Sequence, residues 1–366
     1  MSLESYILRL QNDPHPSLPG RAVLGGLTVL ESLYRKGVLS RREKEERQAV
    51  HAGIPVISVG NITAGGTGKT PCIVKLASLL LEKGRRPAIL TRGYRGGLEK
   101  KGGIVSDGTR ILVSQKEAGD EPYMMAVKLP NVPVIAGKDR VVSAAAAKAL
   151  GADVLLLDDG FQYWRLARDL DVVLLDATSP FGGGHLLPRG LLREPLEALG
   201  RAGLFLLTKA DQVESGEISR IRDVLHTFAP DTPVITSGHQ PSLLTALGDW
   251  PGKGETLPKK APVVLLSGIG NPGAFARTAE DAGLSVKAAL ALPDHHRYGD
   301  EDLRRAEETA RRCGAKAIVI TEKDAVKIKE NLHWKDRACP LFVLGIDLVL
   351  YGDGETVCVK QVEDSL

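Results

Sequence analysis

The sequence predicts an α/β protein of two units, a first with a parallel sheet at its core and a second, smaller α/β domain, preceded by an amphipathic helix. Three observations carry that prediction. The chain has 366 residues, more than a single core usually serves. Short, continuously apolar runs alternate with helical or loop segments along most of it, as expected of strands covered on both faces. Near residue 60, one such run feeds a glycine-rich turn that opens a helix.

Residues 18–36 fit a helix with Val23, Leu27, Leu30 and Tyr34 on one face, widened by Leu24 and Leu33. Arg21, Thr28, Glu31 and Arg35 lie away from the centre of that face. Gly37 stops the pattern, and Arg41, Arg42 and Lys44 follow. Two readings stand here. The helix lies on lipid with its cations near anionic headgroups, or it packs on its own domain. Strands are expected at 55–59, 87–91, 153–157, 171–175 and 204–208, with helices at 70–83 and 139–150. A stretch rich in Gly, Pro and Lys from 237 to 262 marks a boundary. A second α/β alternation then runs through strands at 263–267, 317–321 and 342–344 and helices at 272–283 and 300–313. The expected organisation is an N-terminal helical segment (1–50), a first domain (51–240), a linker (241–262) and a smaller C-terminal α/β domain (263–366).

Composition narrows the function classes. The chain is 43% hydrophobic and 25% charged, and its net charge of +3 is no nucleic-acid footprint. A nucleic-acid-dependent ATPase would also need a basic stripe interleaved with aromatics, which is not seen. Cys72, Cys313, Cys339 and Cys358 are scattered, which fits neither a zinc site nor a disulfide framework and suits a reducing cytosol. No run approaches the roughly 20 apolar residues of a spanning helix, and no basic segment before an apolar core opens the chain.

The strongest local signal is Val56-Ile-Ser-Val-Gly-Asn-Ile-Thr-Ala-Gly-Gly-Thr-Gly-Lys-Thr70. A strand, a loop and a helix start in this order place backbone N–H groups and the positive helix end around phosphate oxygens. Gly65, Gly66, Thr67, Gly68, Lys69 and Thr70 are the nucleotide-binding candidates. Lys69 would reach the β- and γ-phosphates and the Thr70 hydroxyl would ligate Mg2+. The common pattern has Gly where this chain has Thr63. The loop places the first domain in the α/β/α P-loop nucleotide-binding fold. Such a site needs a carboxylate near the metal at the end of a neighbouring strand. Asp158 and Asp159 supply one, and Asp176 ends another strand in the same way.

Other clusters keep two readings. Thr208-Lys-Ala-Asp211 matches a guanine-reading motif or a plain strand-end turn. Asp120, before Glu121 and Pro122, is a helix cap or a functional acid. Asp294-His-His-Arg-Tyr298 is surface chemistry or part of a site. The stretch from Gly182 to Pro195 is a solvated loop, or a lid whose Arg189 or Arg193 grips phosphate.

Taken together, Val59-Gly-Asn-Ile-Thr-Ala-Gly-Gly-Thr-Gly-Lys-Thr-Pro71, Thr91-Arg-Gly-Tyr-Arg-Gly96, Gly119-Asp-Glu-Pro122, Asp158-Asp-Gly-Phe-Gln162, Leu187-Pro-Arg-Gly190, Leu192-Arg-Glu-Pro195, Gly268-Ile-Gly-Asn-Pro272, Pro293-Asp-His-His296 and Thr321-Glu-Lys-Asp324 form an ordered set. The set resembles the tetraacyldisaccharide 4'-kinase family of lipid A biosynthesis. The resemblance implies a two-domain enzyme at the cytoplasmic face of the bacterial inner membrane, peripheral and without an obligate protein partner or nucleic acid. It implies ATP and Mg2+ as cofactors and the 4'-hydroxyl of a lipid A disaccharide 1-phosphate precursor as acceptor. Carried over by position, it makes Lys69 and Thr70 the phosphate and Mg2+ residues. Asp158, Asp159 and Glu194 become the acids at the metal, with Arg193 beside them. Asp120 and His295 become a catalytic pair split between domains, with His296 adjacent. Arg92, Tyr94 and Arg95 are candidate contacts to a phosphate-bearing sugar. The competing class is a regulatory or metallochaperone P-loop GTPase, which Thr208-Lys-Ala-Asp211 would fit.

Overall fold

In the computed structural model the described residues are 10, 17–335 and 337–366, so the expected N-terminal segment is described only in part. A long helix, Leu18–Glu46, comes first; Ser17 stands at its N-cap, its hydroxyl accepting from the Gly20 N–H. The strands then follow as β1 (Val56–Asn61), β2 (Pro87–Thr91), β3 (Gly103–Asp107), β4 (Pro133–Ala136), β5 (Val154–Asp158), β6 (Leu170–Asp176), β7 (Leu204–Thr208), β8 (Val234–Ala246), β9 (Pro262–Ser267), β10 (Ser285–Ala291), β11 (Ala317–Thr321) and β12 (Leu341–Leu350). Helices separate most of them, which makes parallel pairing the rule.

The chain divides into two compact units. Among the described residues, one takes those up to Lys69, Asp153–Gly238 and Leu350–Leu366; the other takes Thr70–Ala152 and His239–Val349. These units interleave along the sequence, unlike the contiguous blocks expected from composition. One of the crossings, between Gly238 and His239, does fall within the Gly, Pro and Lys-rich stretch. Strand pairing explains the interleaving, because β1 takes its partners β5 and β6 from about a hundred residues downstream.

In the first unit β5, β1, β6, β7 and the start of β8 pair side by side, all parallel. β1 is buried at every position, as its apolar run requires. Ile62, Phe161, Val173, Phe205, Leu207 and Leu225 fill the core on one side. Burying each such side chain is worth about 1.5–3 kcal/mol relative to exposure. In the second unit β2 and β4 are parallel and β3 runs antiparallel to β4. A further parallel group, β10, β9, β11 and β12, packs Val263, Leu265, Phe275, Val319 and Phe342 into its own core. Helix Glu322–Asn331 from this group packs against helix Asp120–Lys128 within the same unit.

The long N-terminal helix divides its apolar residues between two roles. Leu27 is buried and Tyr34 packs against the core of its unit. Val23, Leu30 and Leu33 are 38%, 50% and 61% exposed, so the stripe expected to be one face is split and half of it meets solvent. Among the described residues no helix is long and apolar enough to cross a membrane.

Candidate active site

β1 ends in Asn61, and the glycine-rich loop leads to Lys69, the first residue of helix Lys69–Glu82, with Thr70 next. Lys69 Nζ donates to Asn61 Oδ1 at 3.1 Å and lies 3.4 Å from Asp159 Oδ1. Arg193 grips the same carboxylate with two hydrogen bonds, 2.8 and 3.1 Å. Burial pushes the Asp159 carboxyl up, but the charge of Lys69 and the hydrogen bond and charge of Arg193 outweigh it and hold it far below the usual carboxylate range. Asp159 is held at φ 49°, an uncommon conformation for a residue other than glycine and one that concentrates at functional sites.

The loop has the shape of a phosphate cradle. A Cβ added at Gly65 or Gly66 would meet nothing within 4 Å, so ligand oxygens have room beside the backbone there. The Thr67 hydroxyl is buried with no hydrogen-bond partner among the described residues, while the Thr67 carbonyl accepts from Thr208 Oγ1 at 3.1 Å. An orphaned hydroxyl beside an open glycine turn and a cation fits a bound triphosphate. Asp158, buried at the end of β5, fits the sparse demands of Mg2+, which takes one or two protein oxygens and fills its octahedron with phosphate and water. Glu194 is placed differently from the carried-over metal role. It is 1% exposed, and its Oε1 accepts from Gln162 at 2.9 Å and Arg201 at 3.0 Å. Among the described residues no three His, Cys, Asp or Glu side chains converge on a metal-sized site.

The second cluster lies within the other unit. Gly119, at φ 91°, precedes helix Asp120–Lys128, and Gly96 passes so close that a Cβ there would stand 2.5 Å from the Ala118 carbonyl oxygen. Asp120 is therefore the first helical residue and not the cap. Its carboxylate serves side chains instead: Oδ1 accepts from Gln115 at 2.6 Å, and Oδ2 lies 3.0 Å from His295 Nδ1. Burial raises the Asp120 carboxyl, but the His295 hydrogen bond and the charges of Lys327, His295 and Lys323 together hold it below its ordinary value. His295 also sits at positive φ, 61°, with its N–H on Asp294 Oδ1. The pair expected to be split between domains is thus joined inside one compact unit.

Asp120, His295, Tyr94, Arg95, Lys116 and Arg297 line a cavity of about 510 Å3. Tyr94 meets the His295 ring edge-on, centroids 5.9 Å apart. Of the candidate contacts to the sugar, Tyr94 and Arg95 line the cavity, whereas Arg92 turns its Nε to Glu99 at 2.7 Å and Arg193, also a candidate, belongs to the phosphate cluster. His296 bonds Asp302 through Nε2 at 2.9 Å, which leaves His295 as the imidazole on Asp120. Lys209, of the guanine-like motif, is spent on an ion pair with Asp176. Sequence reasoning missed Asn61, Gln115, Gln162 and Arg201. Asn61 and Gln162 stand inside quoted motifs, but only the fold shows which side chain each one holds.

A tetraacyldisaccharide-1-phosphate 4'-kinase family model matches residues 24–365. The chain belongs to that kinase family. A tetraacyldisaccharide 4'-kinase of Anaeromyxobacter sp. is 44% identical over 89% of this chain and 88% of that protein. The one of Halothermothrix orenii is 38% identical over 98% and 97%. The crystal structure of Aquifex aeolicus LpxK in complex with ATP superposes with a TM-score of 0.73 at 30% identity, covering 94% of this chain and 99% of that one. Membership in the 4'-kinase family makes this chain a lipid A biosynthetic kinase and sets the GTPase alternative aside.

Proposed function

We propose that the chain transfers the γ-phosphate of ATP to the sugar hydroxyl through two residue groups, the phosphate loop and the Asp120–His295 pair. The observation that carries this reading is the 3.0 Å contact between Asp120 and His295 in a cavity rimmed by Arg95, Lys116 and Arg297. Lys69 and the loop N–H groups hold the β- and γ-phosphates, with Arg193 at hand for charge that develops on the transferred group. Thr70 with Asp158 or Asp159 would hold Mg2+, which, when bound, neutralises phosphate charge and orients the γ-phosphoryl group. Glu194 supports this set from behind through Gln162, whose Nε2 also reaches the Asn61 carbonyl at 3.0 Å. Asp120 takes the proton of the 4'-hydroxyl as its oxygen bonds to the γ-phosphorus, and the bond to the β-phosphate oxygen breaks to release ADP. His295 holds the carboxylate in place, and the cationic rim suits a phosphorylated acceptor.

The helix Leu18–Glu46 is the membrane-facing element in this reading, and the enzyme works as a peripheral protein at the cytoplasmic face of the inner membrane. Support comes from the solvent-facing Val29, Leu30 and Leu33 beside a helix end carrying Arg41, Arg42 and Lys44. Leu30→Glu with Leu33→Glu should weaken binding to anionic vesicles by about tenfold or more, since both side chains leave the interface. Co-sedimentation unchanged by the pair would remove this helix from the interface.

The direct test is transfer of label from γ-labelled ATP to a lipid A disaccharide 1-phosphate in mixed micelles, with GTP run in parallel. Labelled lipid formed from ATP supports the reading. Absence of labelled lipid from an enzyme that hydrolyses GTP would sink it.

A further inference from the structure

The Thr321-Glu-Lys-Asp324 motif has no part in the steps above, yet the helix it opens carries two ammonium groups to the Asp120–His295 pair. Thr321 caps that helix: its Oγ1 accepts from the Asp324 N–H at 3.1 Å and donates to Asp324 Oδ2 at 2.7 Å. Asp324 is fully buried, and its Oδ2 also accepts from the Gly268 N–H at 3.2 Å. Its Oδ1 pairs with Lys327 Nζ at 2.9 Å. Lys327, with a side chain only 7% exposed, places the same Nζ 3.9 Å from Asp120 Oδ2 and 5.1 Å from the centre of the Tyr298 ring. One helical turn earlier, Lys323 Nζ lies 3.4 Å from His295 Nε2, 3.3 Å from Asp294 Oδ1 and 3.4 Å from Glu121 Oε1.

We propose that Lys327 is a positioning residue of phosphoryl transfer, its buried ammonium, anchored by Asp324, keeping Asp120 ionised and aimed at the acceptor hydroxyl. A buried lysine is costly unless paired, and one carboxylate already occupied by two other donors leaves its charge to act on the next carboxylate as well. An opposite charge at this distance favours the ionised acid. The groups facing Asp120 are the Gln115 amide and the His295 ring, with Lys327 and Lys323 on the packed helix, Asp324 behind Lys327 and Glu121 on Asp120's own helix. The cations outweigh burial there, in keeping with the lowered Asp120 carboxyl. Lys323, by meeting His295 Nε2 as a donor, favours the tautomer whose Nδ1 proton goes to Asp120.

The inference rests on Asp120 acting as the base. Its test is the pH dependence of kcat with saturating ATP for Lys327→Met, Lys327→Arg, the pair Lys327→Met with Asp324→Asn, and Asp120→Asn. Because Lys327 favours the ionised form, removing its charge raises the pH at which Asp120 ionises. The acid limb of the Lys327→Met profile should therefore move up by about one pH unit or more, an approximately tenfold loss at the acid end, with KM for ATP unchanged. Lys327→Arg should keep the limb in place. Lys327→Met leaves Asp324 buried and uncompensated, so the paired variant, which removes both charges, decides the matter if the single one does not fold. An unmoved limb in either folded variant overturns the role of Lys327. Asp120→Asn separates the two ideas: an active Asp120→Asn enzyme sinks the base and Lys327 with it. An inactive one beside an unmoved limb sinks Lys327 alone.

Discussion

Asp120→Ala should lower kcat by about 10²–10⁴-fold while leaving ATP affinity close to that of the parent enzyme. The expectation follows from where the carboxylate stands. It opens helix Asp120–Lys128, and its position depends on Gly96 and Gly119, which let the chain approach where a side chain would collide. Both carboxylate oxygens are engaged, one by Gln115 and the other by His295, so the group is held and not mobile. A carboxyl held below its ordinary value is a weak base in the ground state. What makes it useful is that it stays ionised beside the cavity, ready for a proton that the hydroxyl gives up only as its oxygen bonds to phosphorus. Asp120→Asn is the sharper variant, because the amide can still meet Gln115 and His295 but cannot take the proton. Single-turnover rates with bound ATP separate chemistry from binding. If Asn restores the rate, the carboxylate serves only as scaffold and the base must be sought elsewhere.

How far such a site can be seen in the sequence depends on which residues fold into it locally. β2 and β7 and helix Asp300–Cys313 match their expected bounds, because a buried strand is a bare apolar run and the helix opens on three acids and ends at Gly314. β8 and β10 escaped for the opposite reason. β8 carries Gly238, His239, Gln240 and Pro241 within its span, a composition that reads as a boundary. β10 alternates half-buried with exposed positions at the edge of its group, without the continuous apolar signal. The helix Gly354–Asp364 carries no motif and was not expected. The site follows the same logic. The glycine loop, Lys69 and the strand-end acids are local and were legible. That Arg193 meets Asp159, that Gln162 donates to the buried Glu194, and that Lys327 reaches Asp120 are long-range pairings, which no spacing along the chain encodes.

Lys69→Met is expected to cut kcat/KM for ATP by about 10²–10³-fold, the scale of removing one preorganised donor from a developing charge. Met keeps most of the stem of Lys69 and removes the ammonium, so the loss reports charge and not packing. The fold should persist, because Asp159 retains its two hydrogen bonds from Arg193. Lys69→Arg should not rescue activity: a planar fork is a poor substitute for a point charge that must leave Asn61 and Asp159 for the phosphates. The same variant has a signature in stability. The Asp159 carboxyl lies below its unfolded value, so its ion pairs stabilise the protein above the ordinary Asp range and lose that effect as pH falls through the native value. Replacing Lys69 returns part of that shift, so the Tm deficit of Lys69→Met should be largest near neutrality and narrow as the pH drops below the ordinary Asp value. A Lys69→Met enzyme within about threefold of the parent in kcat/KM would mean that the loop does not cradle the transferred phosphate. A Tm deficit independent of pH would mean that Lys69 does not pair with Asp159 in solution.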